Sequence, residues 1–323
     1  MPFECSNHNQ MAKKNVKSKD GNFGTDSADR PDQPVYISPL TDFGFKKLFY
    51  NKELLIPFLN DVVGTDIKDV EYKPTECQGW FSEERTAVFD LFCTTKNDEH
   101  FVVEMQLGQQ TYFRDRALFY GSHIIHKQAP RKKNWDFNLK PVYIVSILNF
   151  NIFTDRASKN RVIERACLYR ESTGERFSDK LQMIFIQLPK FKKESSELQD
   201  SADTWLFLLK NTNRLKFCPP EITGDPFKLF LDIAELKHLT PEDMKTYEVS
   251  LEKSYQMRNI AGFAKMEGIK EGELKGRREG RKEGKMEIAI KLLMRNEPID
   301  EVISITELSR KQVKALLSQL PTN

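Results

Sequence analysis

Between positions 88 and 106, VFDLFCTTKNDEHFVVEMQ, two alternating apolar runs flank a short polar stretch, the pattern of a β-hairpin. Residues 88–94 and 100–106 are rich in β-branched and aromatic side chains, and Lys96, Asn97, Asp98 and Glu99 supply the turn. With the turn centred on Asn97, Asp90 falls directly opposite Glu104. Side chains alternate along a strand, so Val88, Asp90, Phe92, Val102, Glu104 and Gln106 share one face. Phe89, Leu91, Cys93, Phe101, Val103 and Met105 share the other, which is wholly apolar and is expected to be the core side. Directly opposed residues hold their Cβ atoms roughly 4.5–5.5 Å apart, a spacing at which like charges repel.

The rest of the chain is read in the same way. Phe45, Leu48, Phe49, Leu54, Leu55, Phe58, Leu59 and Val62 recur near helical spacing behind a Thr41-Asp42 capping signal. Residues 67–77, 84–94 and 100–106 read as three strands, and 109–128 as a helix. Residues 141–150, PVYIVSILNF, form a nearly continuous apolar run, the mark of a buried strand. Residues 162–169 and 181–188 are further strands. The order helix, three strands, helix, strand describes an α/β core with mixed strand directions.

Past Lys190 the pattern turns helical, over 204–210, 227–236 and 242–262. Gly268, Gly272, Gly276, Gly280 and Gly284 then recur every four residues. Each glycine weakens a helix by about 1 kcal/mol relative to alanine. Their spacing would leave a stripe free of side chains, open to close helix approach. Residues 299–305 and 309–320 read as two short helices resembling a helix-turn-helix, with Ser309 and Gln312 at capping-box spacing. The resulting division is a disordered polar leader over 1–34, a core over 35–190, a helical extension over 191–250 and a glycine-repeat tail over 251–323.

Composition narrows the function classes. A chain of 323 residues with 39% hydrophobic and 30% charged residues has ample core, and its net charge of +3 excludes a polycation. Nucleic-acid contact must come from a local basic face. The five cysteines are scattered and form no CxxC pair, which points to reduced thiols. No run approaches the ~18 apolar residues of a membrane span, and no signal-peptide pattern opens the chain, so a cytoplasmic protein is expected.

The chemistry centres on Asp90 and Glu104. A shared divalent cation with hard oxygen ligands would cancel their repulsion. An unpaired Glu104 amid Phe101, Val102, Val103 and Met105 would carry a heavy desolvation penalty. A salt bridge to Arg85, Arg114 or Arg116 would relieve it equally well, and spacing alone leaves metal site and ion pair open. Arg114 and Arg116 are two residues apart and cannot both point along one helical face. His123 and His126 lack an evident third ligand and read as packing residues. Gly284-Lys285 is not a phosphate loop, since Glu279 and Met286 occupy positions that need glycine and Ser/Thr.

In combination, TDFGFKKLF (41–49), AVFDLFC (87–93), FVVEMQ (101–106), YFRDRALFYGSHIIHKQ (112–128), PVYIVSILNF, the glycine repeat and ITELSRKQVKALL are recognisable. From position 35 to 320 the chain resembles the PD-(D/E)XK nuclease family transposases, also called recombination-promoting nucleases. That resemblance implies a restriction-endonuclease-like αβββαβ core followed by a helical C-terminal region. It also implies a Mg²⁺-dependent DNA endonuclease of low sequence specificity, tied to recombination or mobile elements, with Mn²⁺ or Ca²⁺ as alternative ions. Asp90 and Glu104 would bind the metal, and Asp42 would be an additional acidic member. Gln106 takes the place of the superfamily lysine; it carries no charge and is no base, but can orient a water or phosphate. Arg114, Arg116, Lys132 and Lys133 would position the DNA backbone. Glu84-Arg85 stands where relatives often have Asp-Arg, and Glu307 where a turn glycine is frequent. Gln106 leaves room for a second reading, a catalytically inactive DNA-binding protein that keeps the fold. The tail is expected to support homo-oligomers.

Overall fold

The structure, a computed structural model, describes residues 34–77, 87–129 and 136–319. Residues 1–33 of the expected leader, Glu84, Arg85, Arg131, Lys132 and Lys133 lie outside the described residues. Helix α1 (Asp42–Phe49) begins where the sequence signals it, with the Thr41 side chain accepting from the Gly44 N–H. Gly44 is required there, because a Cβ would run into the Ser38 carbonyl. The single helix expected through Val62 is in fact two. Asn51 accepts from the Glu53 N–H and starts α2 (Lys52–Val63), which ends at Gly64 with a left-handed φ of 80°. An asparagine whose side chain bonds the backbone two residues on competes with helix continuation, and here it wins.

Strands β1 (Val70–Tyr72) and β2 (Glu76–Cys77) divide the expected strand 67–77, with Pro74 between them. Proline carries no N–H for a ladder. The expected strand 84–94 is likewise divided, into β3 (Ala87–Val88) and β4 (Leu91–Thr95). Then follow β5 (His100–Gln106), α3 (Phe113–Lys127), β6 (Val142–Leu148), β7 (Ile163–Tyr169) and β8 (Arg176–Gln187). The six-stranded sheet runs β1-β4-β5-β6-β8-β7, with β2 and β3 paired separately. β5, β6 and β8 are mutually parallel and the remaining neighbours antiparallel, so the sheet is mixed.

Both faces of the sheet are buried. Leu91, Cys93, Phe101 and Val103 pack under α1, α2, α4 (Ser201–Asn211) and α5 (Asp225–Ala234), in a core that includes Trp205 and Phe230. Phe92, Val102, Ile144 and Phe185 pack against α3 through Phe113 and Ile124. The expectation of one core side is corrected: a parallel β5–β6 pair needs a crossover, and its helix α3 covers the second face. Phe89 also departs from the expected alternation. Its N–H donates to the Thr75 carbonyl, and its ring meets Tyr120 edge-on at 4.9 Å, on the α3 side.

Helix α6 (Pro241–Met294) runs unbroken for 54 residues through the glycine repeat. Its first turns are tied to the body. The Tyr247 hydroxyl accepts from the Ser38 N–H, Ser250 Oγ accepts from the Phe43 N–H, and Lys47 pairs with Asp243 at 2.7 Å. At its far end α7 (Ile299–Thr306) and α8 (Arg310–Leu317) close a small core of Ala289, Leu293, Val302, Leu308 and Val313. Glu307 joins them in left-handed backbone at φ 56°, and the Ser309–Gln312 capping box is formed. Among the described residues no helix is long and apolar enough to cross a membrane.

Candidate active site

The β4–β5 ladder pairs Leu91 with Val103, Phe92 with Val102, Cys93 with Phe101 and Thr94 with His100. The next pair in that register is Asp90 with Glu104, as the hairpin spacing predicts. There the backbone ladder stops and side chains take over. The Asp90 N–H donates to Glu104 Oε1 at 3.1 Å, and the Met105 N–H donates to Asp90 Oδ2 at 2.7 Å. Each carboxylate thus accepts an amide from the opposite strand, which fixes the two acids side by side.

A polar relay surrounds Glu104. Gln106 Nε2 donates to Glu104 Oε2 at 3.2 Å, and Gln110 Nε2 donates to Gln106 Oε1 at 3.1 Å. Arg116 Nη2 stands 3.2 Å from Glu104 Oε2, Nη1 donates to Gln110, and Nε donates to the Tyr120 hydroxyl at 2.7 Å. That hydroxyl donates in turn to the Val88 carbonyl. Of the two described arginines that could neutralise Glu104, Arg114 and Arg116, Arg116 is the one in place. Arg114 turns away, donating to the Ile152 carbonyl with its guanidinium 4.6 Å from the Phe153 ring centre. The two arginines diverge as their spacing requires.

Arg116 stands against two acids, one buried and one half-buried. Glu104 is 1% exposed, and its pKa is pushed up to about 8, by burial first and the Asp90 charge second, against the pull of Arg116. Asp90 is also raised, chiefly by burial, although the Met105 amide favours its charged form. Burial thus disfavours the charged form of both acids, and a bound cation would favour it. Two hard carboxylates suit Mg²⁺, which keeps several waters and binds through one or two carboxylates plus substrate phosphate. Among the described residues no group of three or more His, Cys, Asp or Glu is arranged to hold a metal, so water and substrate would have to complete the shell.

Asp90 and Gln106 open onto a cavity of about 520 Å³. Asp42 reaches the same cavity from the first turn of α1 and pairs with Lys46 at 2.8 Å. The opposite wall is α6, through Lys253, Met257 and Ile260. Sequence reading missed that wall and missed Tyr120. Tyr120 was accessible through its i+4 relation to Arg116. His123 packs near Phe119, with ring centres 6.0 Å apart.

A family model for PD-(D/E)XK nuclease family transposases matches residues 39–261, well over half the chain. No curated protein and no solved structure matches it. The chain belongs to the PD-(D/E)XK nuclease family transposases, and its mixed sheet with flanking helices is consistent with that fold.

Proposed function

We propose that this member of the PD-(D/E)XK nuclease family transposases is a divalent-metal-dependent DNA endonuclease, acting in recombination or on mobile elements. The observation that carries the reading is the pair Asp90 and Glu104, clamped side by side with raised pKa values beside an open cavity. Both acids would hold Mg²⁺, and Mn²⁺ or Ca²⁺ suit the same oxygen donors. A bound divalent cation supplies Lewis-acid polarisation of the scissile phosphate and a water of lowered pKa.

The chain's own groups do the rest. Asp90 is held by the Met105 amide, so its free oxygen is aimed by backbone rather than by a mobile side chain. Gln106 is fixed at both ends of its amide, by Glu104 and Gln110, and would orient a water or a phosphate oxygen without exchanging a proton. Arg116 screens Glu104 and presents cationic charge to an incoming phosphate. Asp42 would be an outlying acid of the same cavity. Arg114, Lys132 and Lys133 would contact the DNA backbone, giving affinity with little sequence preference. A cytoplasmic location and self-association through the glycine-repeat tail belong to the same proposal. The exposed apolar residues Phe263, Met266, Ile269 and Leu274 on α6 support the second point.

The test is nicking of a supercoiled plasmid. Wild type with Mg²⁺ should nick it, EDTA should stop the reaction, and Asp90→Ala should abolish it while circular dichroism shows an intact fold. Full activity in that variant, or nicking without metal, refutes the reading. The neutral Gln106 favours one alternative, a DNA-binding protein without turnover. That alternative predicts a gel shift with no cleavage under Mg²⁺, Mn²⁺ or Ca²⁺.

A further inference from the structure

Ser250, Lys253, Ser254, Met257, Ile260 and Ala264 follow one another at three- and four-residue steps, with one doubling, and so lie on one face of α6. This face walls the cavity that also holds Asp42, Asp90 and Gln106. The two serines are buried; Ser250 Oγ accepts from the Phe43 N–H and so ties the wall to the body, while Ser254 Oγ donates within α6 to the Ser250 carbonyl. Lys253 comes next. Its neighbours Lys46 and Lys47 are tied to Asp42 and Asp243, whereas Lys253 has no ion-pair partner among the described residues. Beyond it Met257 and Ile260 are 56% and 70% exposed, and Met105 and Leu107 line the cavity from the end of β5.

The cavity is thus acidic at the catalytic edge, cationic at one point of its far wall, polar at Gln106, Gln109 and Gln110, and apolar at Met105, Leu107, Met257, Ile260 and Ala264. Its volume falls within the roughly 300–1,000 Å³ of ordinary ligand pockets. An intact duplex offers such a wall only phosphate, for Lys253, because its base faces are stacked inside. A strand with unstacked bases offers both parts of the match. Its phosphates meet a lysine, and its unstacked bases pack against apolar side chains, as an extruded base does in an enzyme pocket.

We propose that the substrate is a nucleic-acid strand unpaired at the point of cleavage, with Lys253 on its phosphate and a base laid against Met257 and Ile260. This rests on the nuclease reading above and names the substrate class for that site. The contacts involve no metal, so binding can be measured in EDTA, apart from cleavage.

Fluorescence polarisation with the full-length chain would compare a single-stranded oligonucleotide with a duplex of equal length and sequence. Tighter binding of the single strand is expected. Lys253→Ala should weaken it about fivefold and reduce the slope of log affinity against log salt by ~0.7, the signature of one lost strand phosphate. Lys253→Arg should restore both values. Met257→Ser with Ile260→Ser should weaken single-strand binding about tenfold through lost apolar contact and leave the salt slope unchanged. All three side chains are exposed, so the thermal midpoints should not move. Equal or tighter duplex binding, or a salt slope unaffected by Lys253→Ala, overturns the proposal. Nicking that depends on Asp90 would still stand in that event, so failure here is distinct from failure of the nuclease reading.

Discussion

At the scale of single residues, Glu104 holds the most testable chemistry. Its ordinary pKa of 4.5 rises to about 8 in the folded chain, from burial and from the Asp90 charge. A raised acid binds its proton more tightly when folded than when unfolded. Stability from this group is therefore full below about 4.5 and is lost as pH climbs through about 8. In EDTA, wild type should lose thermal midpoint across that window, and Glu104→Gln should flatten the loss. Mg²⁺ should recover the midpoint of wild type at the alkaline end and leave Asp90→Ala unmoved. An equally steep loss in Glu104→Gln would show that other groups govern the dependence. The pairing of Asp90 with Glu104 was legible in the sequence, because a turn centred on Asn97 sets one register. Lys253 was not. It lies 163 positions from Asp90 (253 − 90), and only the docking of Tyr247 and Ser250 onto the segment around α1 brings it back.

Elements show where periodicity succeeds and where local chemistry overrides it. The hairpin strand β5 and the buried strand β6 lie where apolar patterning places them. The division of α1 from α2 turned on a single side-chain bond at Asn51, and the departure of Phe89 on a single bond to Thr75. Neither changes a periodicity count. The glycine repeat, expected within a helical tail despite five helix-weakening residues, sits inside one continuous helix. A Cβ added at Gly272, Gly276 or Gly280 meets nothing within 4 Å. Alanine at each of these positions should therefore stabilise α6 by about 1 kcal/mol, read as increased helicity on heating. Destabilisation, or loss of nicking, would mean that the open stripe is occupied when the protein works.

For the molecule as a whole, a single helix joins two separately packed cores. The sheet and its flanking helices form one; Ala289, Leu293, Val302, Leu308 and Val313 form the other. Between them, residues 265–287 contain eight Lys/Arg among the repeated glycines, and their side chains are mostly exposed. Such a stretch opens locally at small cost. To trypsin that combination is an invitation. The first cuts should fall between Lys265 and Lys285, separating a large fragment with the sheet from a small one with α7 and α8. The alanine variants should slow those cuts. First cuts inside the sheet would contradict this. The glycine repeat thus makes the chain divisible at one foreseeable place, where a protease would part the sheet with Asp90 and Glu104 from α7 and α8.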